Sequence, residues 1–174
     1  MTTPVYHRPG PGETAPYHAL YVDKVPTGNL LTLYAAQLAE VEKLLRPLSD
    51  AKAATAYAPG KWTIKEVIGH LSDAERVFSY RAMRAARADT TPLPGFDENA
   101  WVPPGRFNDR TFTSLLDEWV AVRKASIALF TDLPQESVTR KGQASGYDVS
   151  VQGVAYVIHG HVAHHLGVLR ERYL

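Results

Sequence analysis

From Leu30 onward the apolar residues recur three and four apart: Leu30, Tyr34, Leu38, Val41, Leu45 and Leu48. That spacing lines up one face of an α-helix and predicts a helix from about Asn29 to Arg46. A second stripe, Ile64, Val67, Leu71, Ala74 and Phe78, follows Thr63. Thr63 is a good N-cap and Glu66 stands three residues later, the capping-box pattern, so a helix is expected from there to about Ala86. A third, roughly Thr113 to Thr131, turns Leu115, Trp119, Val122, Ser126 and Phe130 inward. The fourth begins after Ser150 and carries Val151, Val154, Ile158, His161, His165 and Leu169 along one face.

Proline sets the punctuation between these stripes. Five of the twelve prolines lie between Pro4 and Pro26, and four between Pro92 and Pro104. A proline inside a helix removes a hydrogen bond and clashes with the preceding turn, so the proline-free stretches are the helices. No segment alternates in the manner of a strand; "TRKGQASGYDVS" has turn chemistry and reads as a short hairpin or a loop. Four long amphipathic helices predict an all-α four-helix bundle. The links of roughly 15, 25 and 18 residues exceed the ~2–8 of a simple up-down bundle, so crossover connections or capping loops are expected. The expectation is one domain over residues 1–174, with an irregular proline-rich segment at 1–28.

Composition narrows the function. Nineteen basic and eighteen acidic side chains leave a formal net charge of +1. That is no footprint for nucleic acid and no polybasic membrane anchor. Cysteine is absent, which removes disulfides, thiolate ligands and a cysteine nucleophile. No apolar run reaches the ~18 residues of a membrane span, and the N-terminus lacks signal-peptide character. A soluble, cytoplasmic protein acting on a small molecule is the expectation.

Four of the seven histidines fall within "HGHVAHH", residues 159–165. His161 and His165, four apart, project from one helix face and can ligate one divalent metal. His164, three from His161, competes for the third position but lies off the apolar stripe, and His159 points elsewhere, partly solvated. His70, beside the stripe of the second helix, can face the fourth helix and complete a three-histidine site. The alternative is a set of core histidines that merely hydrogen-bond to neighbours. Asp73 either orients a histidine or holds a metal-bound water, or else faces solvent. Glu66 belongs to the capping box, and Glu75 is read as a surface residue.

The stretches "GKWTIKEVIGHLSDAE" and "HGHVAHHLGVLRER", together with "PLPGFDENAWV", resemble the DinB/YfiT-like superfamily of metalloenzymes, towards its YfiT-like branch, from about Leu30 to the C-terminus. The resemblance implies a four-helix bundle of unusual crossover order. It implies nickel or zinc held by three histidines, which by motif are His70, His161 and His165, and a homodimer.

Three neutral ligands leave an open coordination position, which suits catalysis rather than a closed structural site. A hydrolase working through metal-activated water, with Asp73 assisting, is the first reading. The second is S-transfer from a low-molecular-weight thiol such as bacillithiol or mycothiol, which the resemblance brings in. Arg81, Arg84 or Lys61 would then meet the thiol cofactor's carboxylates, solvation being their default. The third is a metal-binding stress protein without turnover. The 88–112 loop, with Phe96, Trp101 and Phe107, either roofs the metal end or packs on the bundle. The N-terminal segment, with Tyr17 and Tyr21, either wraps the bundle or reaches a partner subunit.

Overall fold

Each long helix starts on a side chain that accepts a hydrogen bond from an orphan amide of the first turn. The structure, a computed structural model, describes residues 3–174. Asn29 caps α2 (Leu30–Leu45) and Thr63 caps α4 (Ile64–Ala86), where the capping box is complete. Thr111 caps α6 (Phe112–Thr131) and Ser150 caps α7 (Val151–Arg172). The four predicted helices are therefore present within a residue or so of their expected ends. The short elements are α1 (Ala19–Val22), α3 (Asp50–Ala53), α5 (Glu98–Gly105) and the strands β1 (Lys141–Ala144) and β2 (Tyr147–Ser150).

The long helices close into a ring. α2 packs on α6, α6 on α4, α4 on α7, and α7 on α2. Consecutive helices α2 and α4 thus stand across a diagonal, as do α6 and α7. A diagonal step must cross an end of the bundle, which is why those links are long. No helix among the described residues is long and apolar enough to cross a membrane.

The links contain more structure than the apolar pattern predicts. The 88–112 stretch holds α5, capped by Asp97 and ended by Pro103, Pro104 and a left-handed Arg106 (φ 48°). "KGQASGYDVS" is an antiparallel hairpin whose turn residues Ser145 and Gly146 both have positive φ (54° and 82°). Such a two-residue turn matches the twist of paired strands. Its strands carry no clear alternation because they are four residues each, with Lys141, Gln143, Tyr147 and Asp148 exposed and only Ala144, Val149 and Ser150 buried; Leu93 adds a parallel bridge to Ala144.

The N-terminal segment wraps the bundle. Tyr6 donates through its hydroxyl to the Phe130 carbonyl (2.6 Å), and Arg8 to the carbonyls of Val22 and Val25. Close approach needs glycine on α7. A Cβ at Gly153 would stand 2.2 Å from the Glu13 carbonyl oxygen, and one at Gly160 1.9 Å from that of Tyr21. This cover buries α7 on every side from Val151 to Val162. His159 is buried as well, against the expectation of partial solvation, but by α2, with its ring 5.7 Å from that of Tyr34.

Two apolar clusters fill the core. On α7 the first ends at Ile158 and the second begins at Val162; on α2 they divide between Tyr34 and Val41. A polar layer separates them. Arg123, fully buried on α6, donates to Gln37 on α2 (2.8 Å) and to Glu75 on α4 (2.9 Å), and Gln37 donates to the His159 carbonyl on α7 (3.0 Å). Four helices are tied by three side chains. Glu75 is thus a core residue and not the surface residue expected, and Arg123, rather than Val122, takes the inward position, because each charge answers the other.

Candidate metal centre

His70 on α4 and His161 and His165 on α7 meet between the two helices. His161 Nε2 lies 3.0 Å from His70 Nε2 and 3.1 Å from His165 Nε2. Among the described residues this is the one group of three or more histidine or carboxylate side chains whose ligating atoms converge, all within 4.8 Å of one another. Tetrahedral coordination with Zn–N bonds of about 2.0–2.1 Å places donor nitrogens roughly 3.3 Å apart. Two of the observed separations come close to that.

The donor set has a further property. Burial pushes His70 down to about 4 and His165 to about 3, and holds His161 well below the ordinary imidazole range. Neighbouring imidazoles add to the last two. The three rings are therefore neutral at pH 7, in the form that ligates metal. A neutral His161 Nε2 has either one proton or one lone pair, so it cannot satisfy both neighbours. A cation at the point of convergence satisfies all three. The residues fit a divalent metal.

A cavity of about 260 Å³ opens onto the cluster. Trp62, at the head of α4, sets its ring 5.0 Å from that of His70, and Phe78 sets its own 5.9 Å from that of His161. The N-terminal segment supplies Tyr17, His18 and Tyr21, and the α4–α5 link supplies Phe96. Both the N-terminal segment and the 88–112 link therefore form walls of the cavity.

The other candidates fall as follows. His164 is half-buried on the cavity wall with its ring 5.5 Å from Tyr21, outside the convergent set. Asp73, three residues beyond His70, sits off that face; it is turned to Arg76 (3.6 Å) and does not line the cavity. Glu66 completes the capping box through the Thr63 amide (2.7 Å). Arg84 pairs with Asp89, and Lys61 is exposed. Arg81 departs from its solvated default: it is 6 % exposed and lines the cavity. His18 escaped the periodicity argument because it lies in a proline-rich stretch with no stripe. Only its place in the wrapped segment brings it to the site.

Comparison with known proteins gives the family of the chain and relatives of its fold. The family model of the DinB superfamily matches residues 33–169. A Bacillus subtilis (strain 168) protein named "Putative metal-dependent hydrolase YfiT" is 27% identical over 96 residues, which are 55% of this chain and 47% of that protein. The chain thus aligns with about half the length of that relative. Protein OB0413 of Oceanobacillus iheyensis, of the same description, is 23% identical over 128 residues, 71% of each chain. The solved structure of the Bacillus subtilis protein, described as a probable metal-dependent hydrolase with an unusual four-helix bundle topology, superposes with a TM-score of 0.63. That superposition covers 95% of this chain and 93% of the other at 19% identity, a likeness of fold.

Proposed function

The chain belongs to the DinB superfamily, and on that premise we propose that it is a metal-dependent hydrolase of a small molecule, with zinc or nickel held by His70, His161 and His165. One observation carries the reading: three neutral imidazole nitrogens converge without a carboxylate inside a cavity large enough for a small substrate. A divalent cation bound there supplies Lewis-acid charge and lowers the pKa of water to about 7. Imidazole donors suit either metal. With only three protein ligands, a bound metal would keep a coordination position for water or substrate.

The chain's own residues do the remainder. His161 and His165, one turn apart, fix two donors on a rigid helix, and the α4–α7 contact fixes the third. Trp62, Phe78 and Phe96 line the approach with apolar surface and restrict water around a bound substrate. The descriptions of the two relatives support hydrolysis as the reaction class. Asp73 has no part in this proposal, because it faces Arg76 rather than the cavity. A panel of ester, amide and lactone substrates tests the proposal. Turnover that stops on chelation, returns with zinc or nickel, and is absent from His70→Ala supports it; turnover indifferent to chelator contradicts it.

A second reading, S-transfer from a low-molecular-weight thiol, draws on a different observation. His165 and Trp62 also border a second cavity, of about 290 Å³, which includes Lys61. Two chambers meeting at one cluster would hold two reactants. Turnover of electrophiles only when a thiol is added, with the thioether as product, would favour it over hydrolysis.

A further inference from the structure

Two arginines of this chain are buried, and only one of them is answered by an acid. Arg123 is paired with Glu75 in the polar layer. Arg81 has no carboxylate within ion-pair distance among the described residues. A buried charge without a counter-charge is costly, and proteins avoid it unless the charge has work to do. Arg81 lines the same cavity as the three histidines.

Its donors are only partly used. Nη2 donates to the Pro94 carbonyl (2.8 Å) and to Ser145 Oγ (3.1 Å), which ties the α4–α5 link to the hairpin. Nε and Nη1 have no protein acceptor, yet neither is sealed from space. The guanidinium carbon lies 5.8 Å from the ring centres of both Phe78 and Phe96, so two aromatic faces hold the cation in place without neutralising it. The carboxylate on the cavity wall, Glu98, is exposed at its rim and makes no ion pair with Arg81.

The spacing along α4 places this cation relative to the metal centre. Arg81 is eleven residues beyond His70, which at ~100° per residue returns to nearly the same helix face. The two Cα atoms are roughly 16 Å apart along the axis at 1.5 Å per residue, and Ala74 and Phe78 stand between them on that face. The side chains close the gap through Phe78, whose ring centre is 5.8 Å from the guanidinium carbon and 5.9 Å from the centre of the His161 ring, so cation and cluster stand no further apart than the length of a small organic molecule.

We propose that the cavity takes a small organic anion, its carboxylate or phosphate on Arg81 and its reacting bond at the histidine cluster. This rests on the cavity being the active site, and it names the class of substrate. Aromatic walls and one unpaired guanidinium suit an anion on an apolar body, since charge-assisted hydrogen bonds from arginine match both carboxylate and phosphate. A purely structural Arg81 would need only the Nη2 contacts.

The test uses the protein chelator-treated and metal-loaded, with binding read by calorimetry. Benzoate, phenyl phosphate and the neutral benzamide are the probes. The expected result is benzoate or phenyl phosphate binding the chelator-treated protein about tenfold or more tighter than benzamide. Arg81→Gln should bring the anions down to the benzamide level, Arg81→Lys should keep part of the preference, and His161→Ala should keep it. The ratio of the two anions tells carboxylate from phosphate. Equal affinity of benzoate and benzamide for the wild type overturns the proposal with no variant needed. So does anion binding that survives Arg81→Gln, or that needs metal and vanishes only in His161→Ala, since the anion would then be a metal ligand. Failure of the protein to bind metal while the anion preference persists would sink the hydrolase reading alone.

Discussion

Neither His18 nor His159 has a partner for its Nδ1, and burial, followed by the charge of a nearby arginine, pulls each down to about 4 from 6.5. Below pH 6.5 the unfolded chain therefore binds protons that the folded one refuses. Stability from these two groups is fully present above about 6.5, falls as the pH drops towards 4, and is constant below that. Each shift is equivalent to about 3 kcal/mol at most. Urea unfolding of the metal-free protein between pH 7 and 4.5 should show this loss, and His18→Gln should flatten it; a profile unchanged by that variant would contradict the account. At this scale the sequence was legible where a residue sat on a stripe. His70, His161 and His165 could be picked out because each has an apolar stripe residue three or four places away: Val67 and Ala74 for His70, Ile158 for His161 and Leu169 for His165. His18 could not, since a residue between prolines carries no mark of what covers it, and Arg81, although three residues beyond Phe78, reads as solvated because arginine ordinarily is. His159 was misplaced for the same reason: a helix wheel says where a ring points, and not that another segment lies over it.

Among the elements, the four long helices were readable because caps and apolar periods agree at each of them, Thr63 with Glu66 most plainly. The hairpin was readable from its turn chemistry only as one of two alternatives, and α5 was not, because these elements owe their order to contacts such as Leu93 with Ala144 and the Asp97 cap rather than to an apolar pattern of their own. The tie between helices is ionic, and its worth depends on both partners being present. Arg123→Met leaves Glu75 buried and unanswered and should cost roughly 3–5 kcal/mol, whereas Arg123→Met combined with Glu75→Leu should recover most of that. Denaturant midpoints of the two variants measure it; a double variant no more stable than the single one would contradict this reading. Gly160 supplies an opposite sign. Alanine is the better helix former by up to about 1 kcal/mol, yet here its methyl group would meet the Tyr21 carbonyl. Gly160→Ala should therefore lower the melting temperature and speed proteolysis of the first twenty-odd residues; a higher melting temperature would mean that the segment does not bear on α7.

For the molecule as a whole, ring order and site are one arrangement. Placing α2 and α4 on a diagonal brings α4 beside α7, and that contact puts His70 opposite His161. The diagonal α2–α4 link then supplies Trp62, the long link between the adjacent α4 and α6 supplies Phe96, and the N-terminal wrap supplies Tyr17, His18 and Tyr21, so the connecting stretches also wall the cavity. Much of that N-terminal segment lies outside the residues matched by the DinB superfamily model, which begin at 33. The three histidines, with Trp62, Phe78 and Phe96 of the wall, lie inside the matched residues, and Tyr17, His18 and Tyr21 lie outside them.

The central claim is that His70, His161 and His165 hold one divalent metal between two helices. Elemental analysis of untagged protein, with His70→Ala and His161→Ala beside it, tests this most directly. The account predicts near-stoichiometric zinc or nickel in the wild type, as purified or after loading, and loss from both variants with their helical content intact. A wild type that refuses both metals, or a variant that keeps its metal, would contradict it.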